Sequence, residues 1–454
     1  MPPLHAGTPG SCPRCHALFG KSSPGGAQIP VLASFEVHDL PKAVVLYHFF
    51  PPDEVVSAVL FGELAAGLVS RGWDVTAFPC NRDFRNPAIS YPPRGKWNGV
   101  DVRRLWRPGF AQSTGNGRIL NALWMIARWS LLAFDPRMRP DVLILGTDPI
   151  LSVAVALVWR RLKPRTRIAH WCFDLYPEAA IADGILKADG RAAAFLRALA
   201  RRAYASCDLI VDIGSCMRAR LEPYQTDAHK ETLVPWALEE SSAVTPIHEA
   251  EREAVFGTTA LALMYSGSLG RAHSFEGILQ LARELRQHDV RIAFSVAEKT
   301  ASVLRNALLP EDTNVVLVPA VPASEIAQRL SAPDICIVTL KEEWAGIVLP
   351  SKFFGALSMG RPVLFCGSPE SAIAQWIEEY KIGWVLTSDS IGKIAEEMAR
   401  LIGNRRDLED MFRRCHRVYT EHFSKAVTVD RWDRELRKLL EFCESKRGLS
   451  EGCQ

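Results

Sequence analysis

Two stretches in the second half of the chain set a cation beside flexible backbone, directly after or close to an apolar run. The first is Tyr265-Ser266-Gly267-Ser268-Leu269-Gly270-Arg271, which follows Leu261-Ala262-Leu263-Met264. Gly267 and Gly270, with Ser268 between them, let the backbone come close to a ligand. A helix expected to start near Ser274 would turn its free amides toward an anion. Arg271 adds a planar fork suited to a diphosphate. A plain tight turn with a surface arginine would look the same. The second stretch is Gly346-Ile347-Val348-Leu349-Pro350-Ser351-Lys352-Phe353-Phe354-Gly355, followed by Gly360-Arg361-Pro362. Ser351 reads as a helix N-cap. That would put Lys352 in the first turn, where the helix dipole disfavours a cation. A bound anion removes the conflict, and a lysine that projects into solvent also escapes it. Together the two stretches predict a clamp that holds an anion such as a diphosphate.

The first half offers carboxylates and a histidine instead: Asp53, Glu54, Asp148, His170, Asp174 and Glu178. All fall at or just after expected strand ends, where a ligand could be held. Each has a structural alternative. Asp148 can cap a helix through Pro149, Asp174 can cap a turn, and His170 can be a core histidine.

The elements that must position these residues follow from periodicity. Ala43–Tyr47 is a short apolar run, hence a buried strand. A helix with Leu60, Phe61, Leu64 and Leu68 on one face follows and stops at Arg71-Gly72. Val75–Phe78 is the next strand, completing a βαβ unit. Further strands are predicted at Asp141–Leu145, Thr166–Trp171 and Asp208–Asp212. The pattern breaks near Leu233–Leu238, and the polar run Glu239–Glu251 reads as a linker. A second series is predicted at Leu261–Tyr265, Arg291–Val296, Val315–Val318, Asp334–Thr339, Pro362–Cys366 and Gly383–Leu386. The predicted fold class is α/β, with two doubly wound, Rossmann-like parallel-sheet domains facing a cleft. Residues 1–40 read as a flexible extension, 41–238 as the first domain and 239–422 as the second. Residues 423–446 form a helix with Val429, Trp432, Leu436, Leu439 and Leu440 on one face. It either caps the second domain or crosses back to the first.

Composition narrows the function. The 454 residues are 48% apolar and 23% charged, with a net charge of +3, so nothing global points to nucleic acid. Residues 101–170 nevertheless hold twelve Arg or Lys against four Asp. That asymmetry suggests an anionic partner on one half. Ile119–Phe134 is amphipathic, with Trp124 and Trp129 flanking Arg128 and with Arg103, Arg104, Arg107, Arg137 and Arg139 nearby. Such a segment suits an anionic membrane surface, or else packs on the sheet with its arginines as a rim. Neither it nor Val142–Trp159 reaches the length of a clean membrane span. Eleven cysteines are scattered, several of them inside apolar runs, which reads as buried thiols in a reducing compartment. Cys12 and Cys15 lack the second pair that a zinc site needs. No signal peptide is visible. The expected location is the cytoplasm, at the inner face of a membrane.

Tyr265–Arg271, Leu349–Lys352 and Gly360-Arg361-Pro362-Val363 resemble the retaining GT-B glycosyltransferases of the large group 1 family, family 4. The likeness is to its bacterial capsule, O-antigen and exopolysaccharide subgroup. Phe50-Pro51-Pro52-Asp53-Glu54, Arg71–Thr76, Gly146-Thr147-Asp148-Pro149 and Asp174–Glu178 agree, and the resemblance spans about residues 43–442. It implies a nucleotide-sugar donor held by residues 239–422, a sugar or lipid-linked glycan acceptor held by residues 41–238 beside Asp53, Glu54, Asp148, His170, Asp174 and Glu178, and transfer with retention. It implies catalytic roles for Arg271 and Lys352. Gly267, Ser268, Gly270, Pro350, Ser351 and Gly355 would hold the donor. No cofactor is implied, and the chain contains no Asp-x-Asp, the metal-and-diphosphate device of the other glycosyltransferase architecture. There are departures. Gly355 stands where the family often has a ribose-binding glutamate. The earlier glutamate has no clear counterpart, with Glu342 and Glu343 both upstream. Ser295–Glu298 replaces a glycine pair. Two other functions fit the same architecture: a nucleotide-sugar epimerase, and an inactive homologue that serves as a partner in polysaccharide assembly.

Overall fold

The computed structural model describes residues 40–451. The extension expected over residues 1–40 and the Cys12–Cys15 pair lie almost wholly or wholly outside them.

The first sheet has eight strands. They are β1 (Lys42–Leu46), β2 (Asp74–Ala77), β3 (Arg94–Trp97), β4 (Val100–Arg103), β5 (Val142–Leu145), β6 (Arg167–Trp171), β7 (Leu209–Asp212) and β8 (His229–Thr232). Their spatial order is β3-β4-β2-β1-β5-β6-β7-β8. β1, β5 and β7 are almost wholly apolar because helices cover both faces of a parallel sheet. Three strands, β3, β4 and β8, were not expected. β3 pairs with β4 as an antiparallel hairpin, turned by Asn98 and Gly99 at φ 44° and 85°. An Asn-Gly pair favours that conformation. β8 is a polar edge strand, so it carries no apolar run.

The second sheet has six parallel strands: β9 (Leu261–Ser266), β10 (Val290–Val296), β11 (Val315–Pro319), β12 (Ile335–Thr339), β13 (Val363–Cys366) and β14 (Gly383–Leu386). Their order is β11-β10-β9-β12-β13-β14. Both sheets are therefore doubly wound. The winding reverses beside β1 in one and beside β9 in the other. Crevices that take ligands open at such points, beyond the carboxyl ends of the strands.

Two helices shape the surface of the first half. Gly115–Leu132 starts at Thr114, whose side chain accepts from the Gly117 amide at 3.2 Å. It buries Asn121, Ala122, Met125 and Trp129, and the Trp129 indole donates to Phe78 O at 2.8 Å. The last helix, Lys425–Glu451, lies against the first half of the chain. Asp430 pairs with Arg71, the Trp73 indole donates to Asp433 at 2.6 Å, and Trp432 meets Trp171 with ring centres 5.2 Å apart. A Cβ on Gly67 would come within 2.6 Å of Val429, so only glycine lets the two helices approach this closely.

Candidate active site

The donor side is built at the end of β9. Gly267 has φ +120°, a conformation that favours glycine. A Cβ there would lie 2.6 Å from Cε of Lys352, so the bare backbone is what lets the lysine lie alongside it. Lys352 Nζ is 3.5 Å from Ser268 O and 5.3 Å from the centre of the Tyr265 ring. Its only hydrogen bond among the described residues is to that carbonyl, and no carboxylate pairs with it. Burial pushes the ammonium down to about 8. Arg271 is 72% exposed and reaches Asp183 of the first half at 2.5 Å.

Two expectations here need correction. Ser351 is already helical in backbone conformation, and its hydroxyl caps nothing. The helix behind it, Lys352–Ser358, is only seven residues long, so its dipole contributes little and the free cation is the stronger feature. The helix after the glycine loop begins at Glu276, whose amide donates to Ser274 Oγ at 3.3 Å. Glu276 places a negative charge in that first turn, which an anionic ligand would have to avoid. Pro350 O accepts the Phe353 amide and shapes the turn. Gly270 has open space around it. At Gly355 a Cβ would make only an ordinary 3.5 Å contact with Leu330, so the backbone would accept a side chain that this chain lacks. Gly346, at φ +75°, approaches the Cys216 carbonyl rather than a ligand. That contact, Leu175 N to Ile347 O at 3.0 Å and Arg220 Nε to Ala345 O at 2.6 Å, seat the loop before Lys352 on the first half.

The facing side lies beyond β1, β5 and β6. His48 is 1% exposed, and its Nδ1 is 3.2 Å from Asp148 Oδ1. Burial alone would lower the imidazole, but the charge and hydrogen bond of Asp148 outweigh it and raise it to about 9. His48 was missed from the sequence. The signal is the register Leu46↔Leu145, which sets the ends of β1 and β5 side by side. Asp174 is raised to about 6 by burial, with Asp148 adding to the shift. His170 is buried, neither ring nitrogen makes a well-formed hydrogen bond, and burial pushes it to about 4 against a weaker opposing contact with the Leu145 backbone. His170 and Asp174 line a common pocket, and Asp148 acts on Asp174 electrostatically. The other candidates have separate tasks. Asp53 is buried, accepts from the Phe84 amide at 2.9 Å, and is raised to about 6 by burial. Glu54 is exposed, 3.8 Å from Arg85. Both oxygens of Glu178 accept from Tyr224, and Arg197 donates to one of them. No group of three or more His, Cys, Asp or Glu among the described residues is arranged to hold a metal ion.

The profile of a family described as a glycosyl transferase 4-like domain matches residues 57–237. The probable glycosyltransferase WbjE of Pseudomonas aeruginosa is 26% identical over 323 residues, 66% of this chain and 76% of that protein. A sucrose-phosphate synthase from Thermosynechococcus elongatus superposes with a TM-score of 0.64 at 12% identity, covering 89% of this chain and 100% of that one. Anabaena HepE, solved with UDP and glucose, gives 0.57 at 11% identity, covering 88% and 100%. The chain has the GT-B fold and is related to glycosyltransferases. This relationship supports enzymatic glycosyl transfer.

Proposed function

We propose that the protein moves a sugar from a nucleoside-diphosphate sugar to a hydroxyl of a lipid-linked glycan, with retention of configuration and without a metal, at the inner face of a membrane. The observation that carries this reading is Lys352, a cation held against Gly267 with no carboxylate partner among the described residues. A diphosphate supplies the missing counter-charge.

As the donor's anomeric C–O bond breaks, its electron pair leaves on the diphosphate. Lys352 and Arg271 offset the charge that develops there. The acceptor oxygen bonds to the anomeric carbon, and its proton passes to a diphosphate oxygen. A dedicated base is then unnecessary. Cations from the protein do the work a metal would do, which supports the metal-independent reading.

Support for a lipid-linked acceptor comes from the helix Gly115–Leu132 and its flanks. Trp106 (53%), Ile119, Leu120, Leu123 (59%), Leu131 and Phe134 (65%) are all exposed. Arg118 and Arg128 lie on the same helix. An apolar face with aromatic and basic residues suits a membrane interface. No helix among the described residues is long and apolar enough to cross a membrane.

Incubation with UDP-, GDP- and dTDP-sugars, with and without a lipid-linked acceptor, tests the proposal. Acceptor-dependent release of nucleoside diphosphate is expected. Isomerisation without acceptor would instead mark an epimerase, and no nucleotide binding would mark an inactive partner.

A further inference from the structure

Between the ends of β5 and β6 lies a small pocket lined by Thr147, Leu151, His170, Asp174, Tyr176 and Tyr204, among others. Its volume is about 10 Å³, enough for one water-sized group. Thr147 Oγ1 is buried without a partner, and the His170 ring nitrogens make no well-formed hydrogen bond, only a weaker contact with the Leu145 backbone. Buried polar atoms around one cavity are costly to leave so poorly bonded, so something that hydrogen-bonds belongs there. Leu151 on the rim is held at φ +62°, a strained conformation for a bulky residue.

We infer that this pocket binds one hydroxyl or hydroxymethyl arm of an uncharged sugar, the sugar ring of the acceptor rather than its phosphate. The inference rests on the glycosyl-transfer reading above. The chemistry of the lining selects the occupant. A neutral imidazole presents one donor and one acceptor, and Thr147 can do either, which matches a hydroxyl. An anion is disfavoured. Beyond burial itself, Asp174, Asp148 and Asp183 act on Tyr176, and Arg118 opposes them. His48 is already paired with Asp148. The contrast with Lys352 and Arg271 across the cleft divides the labour: cations for the donor diphosphate, neutral polar atoms for the acceptor sugar.

The test uses the full-length protein with 15N-labelled histidine. The ring signals of His170, assigned through H170F, are followed while methyl hexosides or inorganic phosphate are added. A methyl hexoside should shift them and phosphate should not. No response to any hexoside, or a response to phosphate, overturns the inference, and the pocket then holds water or an anion. T147V supplies a second readout. If the hydroxyl serves a sugar, its loss should weaken hexoside binding by at least about tenfold. Thermal stability should hold or rise, because a buried polar atom without a partner has been removed. A fall in stability with unchanged hexoside affinity would indicate a structural water and overturn the inference. Calorimetry with UDP, GDP and dTDP separates the two levels. Nucleotide binding without a hexoside response sinks only the pocket, whereas a hexoside response without nucleotide binding sinks the transferase reading.

Discussion

Lys352 occupies the space that a side chain on Gly267 would need, with Cε 2.6 Å from the position of a Cβ. The glycine and the lysine therefore form one device. G267A should push the lysine aside and strain a backbone at φ +120°, costing about 1–2 kcal/mol of stability. K352A should abolish nucleotide binding. K352M keeps the bulk but loses the charge-assisted bond. It should cost roughly 1.5–3 kcal/mol of nucleoside-diphosphate affinity while leaving the melting temperature level or higher. Calorimetry and a thermal melt check both, and unaltered affinity in either Lys352 variant would count heavily against the clamp.

Arg271 is tied to Asp183 across the cleft. A diphosphate must compete with that carboxylate for the guanidinium. D183N should raise nucleotide affinity a few-fold, no more, because a pair whose arginine is so exposed contributes under about 1 kcal/mol. Titration at low and moderate salt should show the gain shrinking as salt rises. A loss of affinity would mean that Asp183 assists binding rather than opposing it.

The pH dependence has two signs. His48 sits above its ordinary 6.5, at about 9. Its contribution to stability is complete below 6.5 and is lost as pH rises through 9. Thermal melts should weaken across that window, and D148N should flatten the slope. Lys352 sits below its ordinary 10.5, at about 8. Stability linked to it rises as pH climbs from 8 to 10.5, since the unfolded chain keeps the proton longer. Nucleotide affinity moves the other way, falling above pH 8 by up to roughly tenfold per unit as the ammonium is lost.

Ile119 and Leu123 face outward from the helix Gly115–Leu132. Replacing both with glutamate should leave folding within about 0.5 kcal/mol per site. Sedimentation with anionic phosphatidylglycerol vesicles should fall several-fold. Equal sedimentation of wild type and variant would remove this face from the membrane account.

Much of the framework could be read from the sequence, for a physical reason. Strands buried on both faces, such as Val142–Leu145 and Leu261–Ser266, are apolar throughout and stand out. Arg94–Trp97 and His229–Thr232 escaped because edge strands facing water carry polar residues. Asn98-Gly99 was the remaining clue to the first of these. Each half of the proposed clamp leaves a trace in its own stretch, a glycine loop in one and a cation in the other, but that Lys352 lies against Gly267 is set by the fold. His48 and Asp148 could not be read as a pair, since they lie 100 residues apart and meet only through sheet register. Glu178 shows the converse. Its motif suggested a ligand, but its oxygens are taken by Tyr224 and Arg197.

The last helix has a consequence for how the chain is made. Trp73 and Trp171 belong to the half that leaves the ribosome first, yet they are covered by residues after Lys425. Roughly 190 residues are synthesised in between. At the usual pace of translation that takes on the order of ten to forty seconds. For that interval the nascent first half shows a tryptophan-lined face to the cell, and it needs shelter until the final helix arrives to close it.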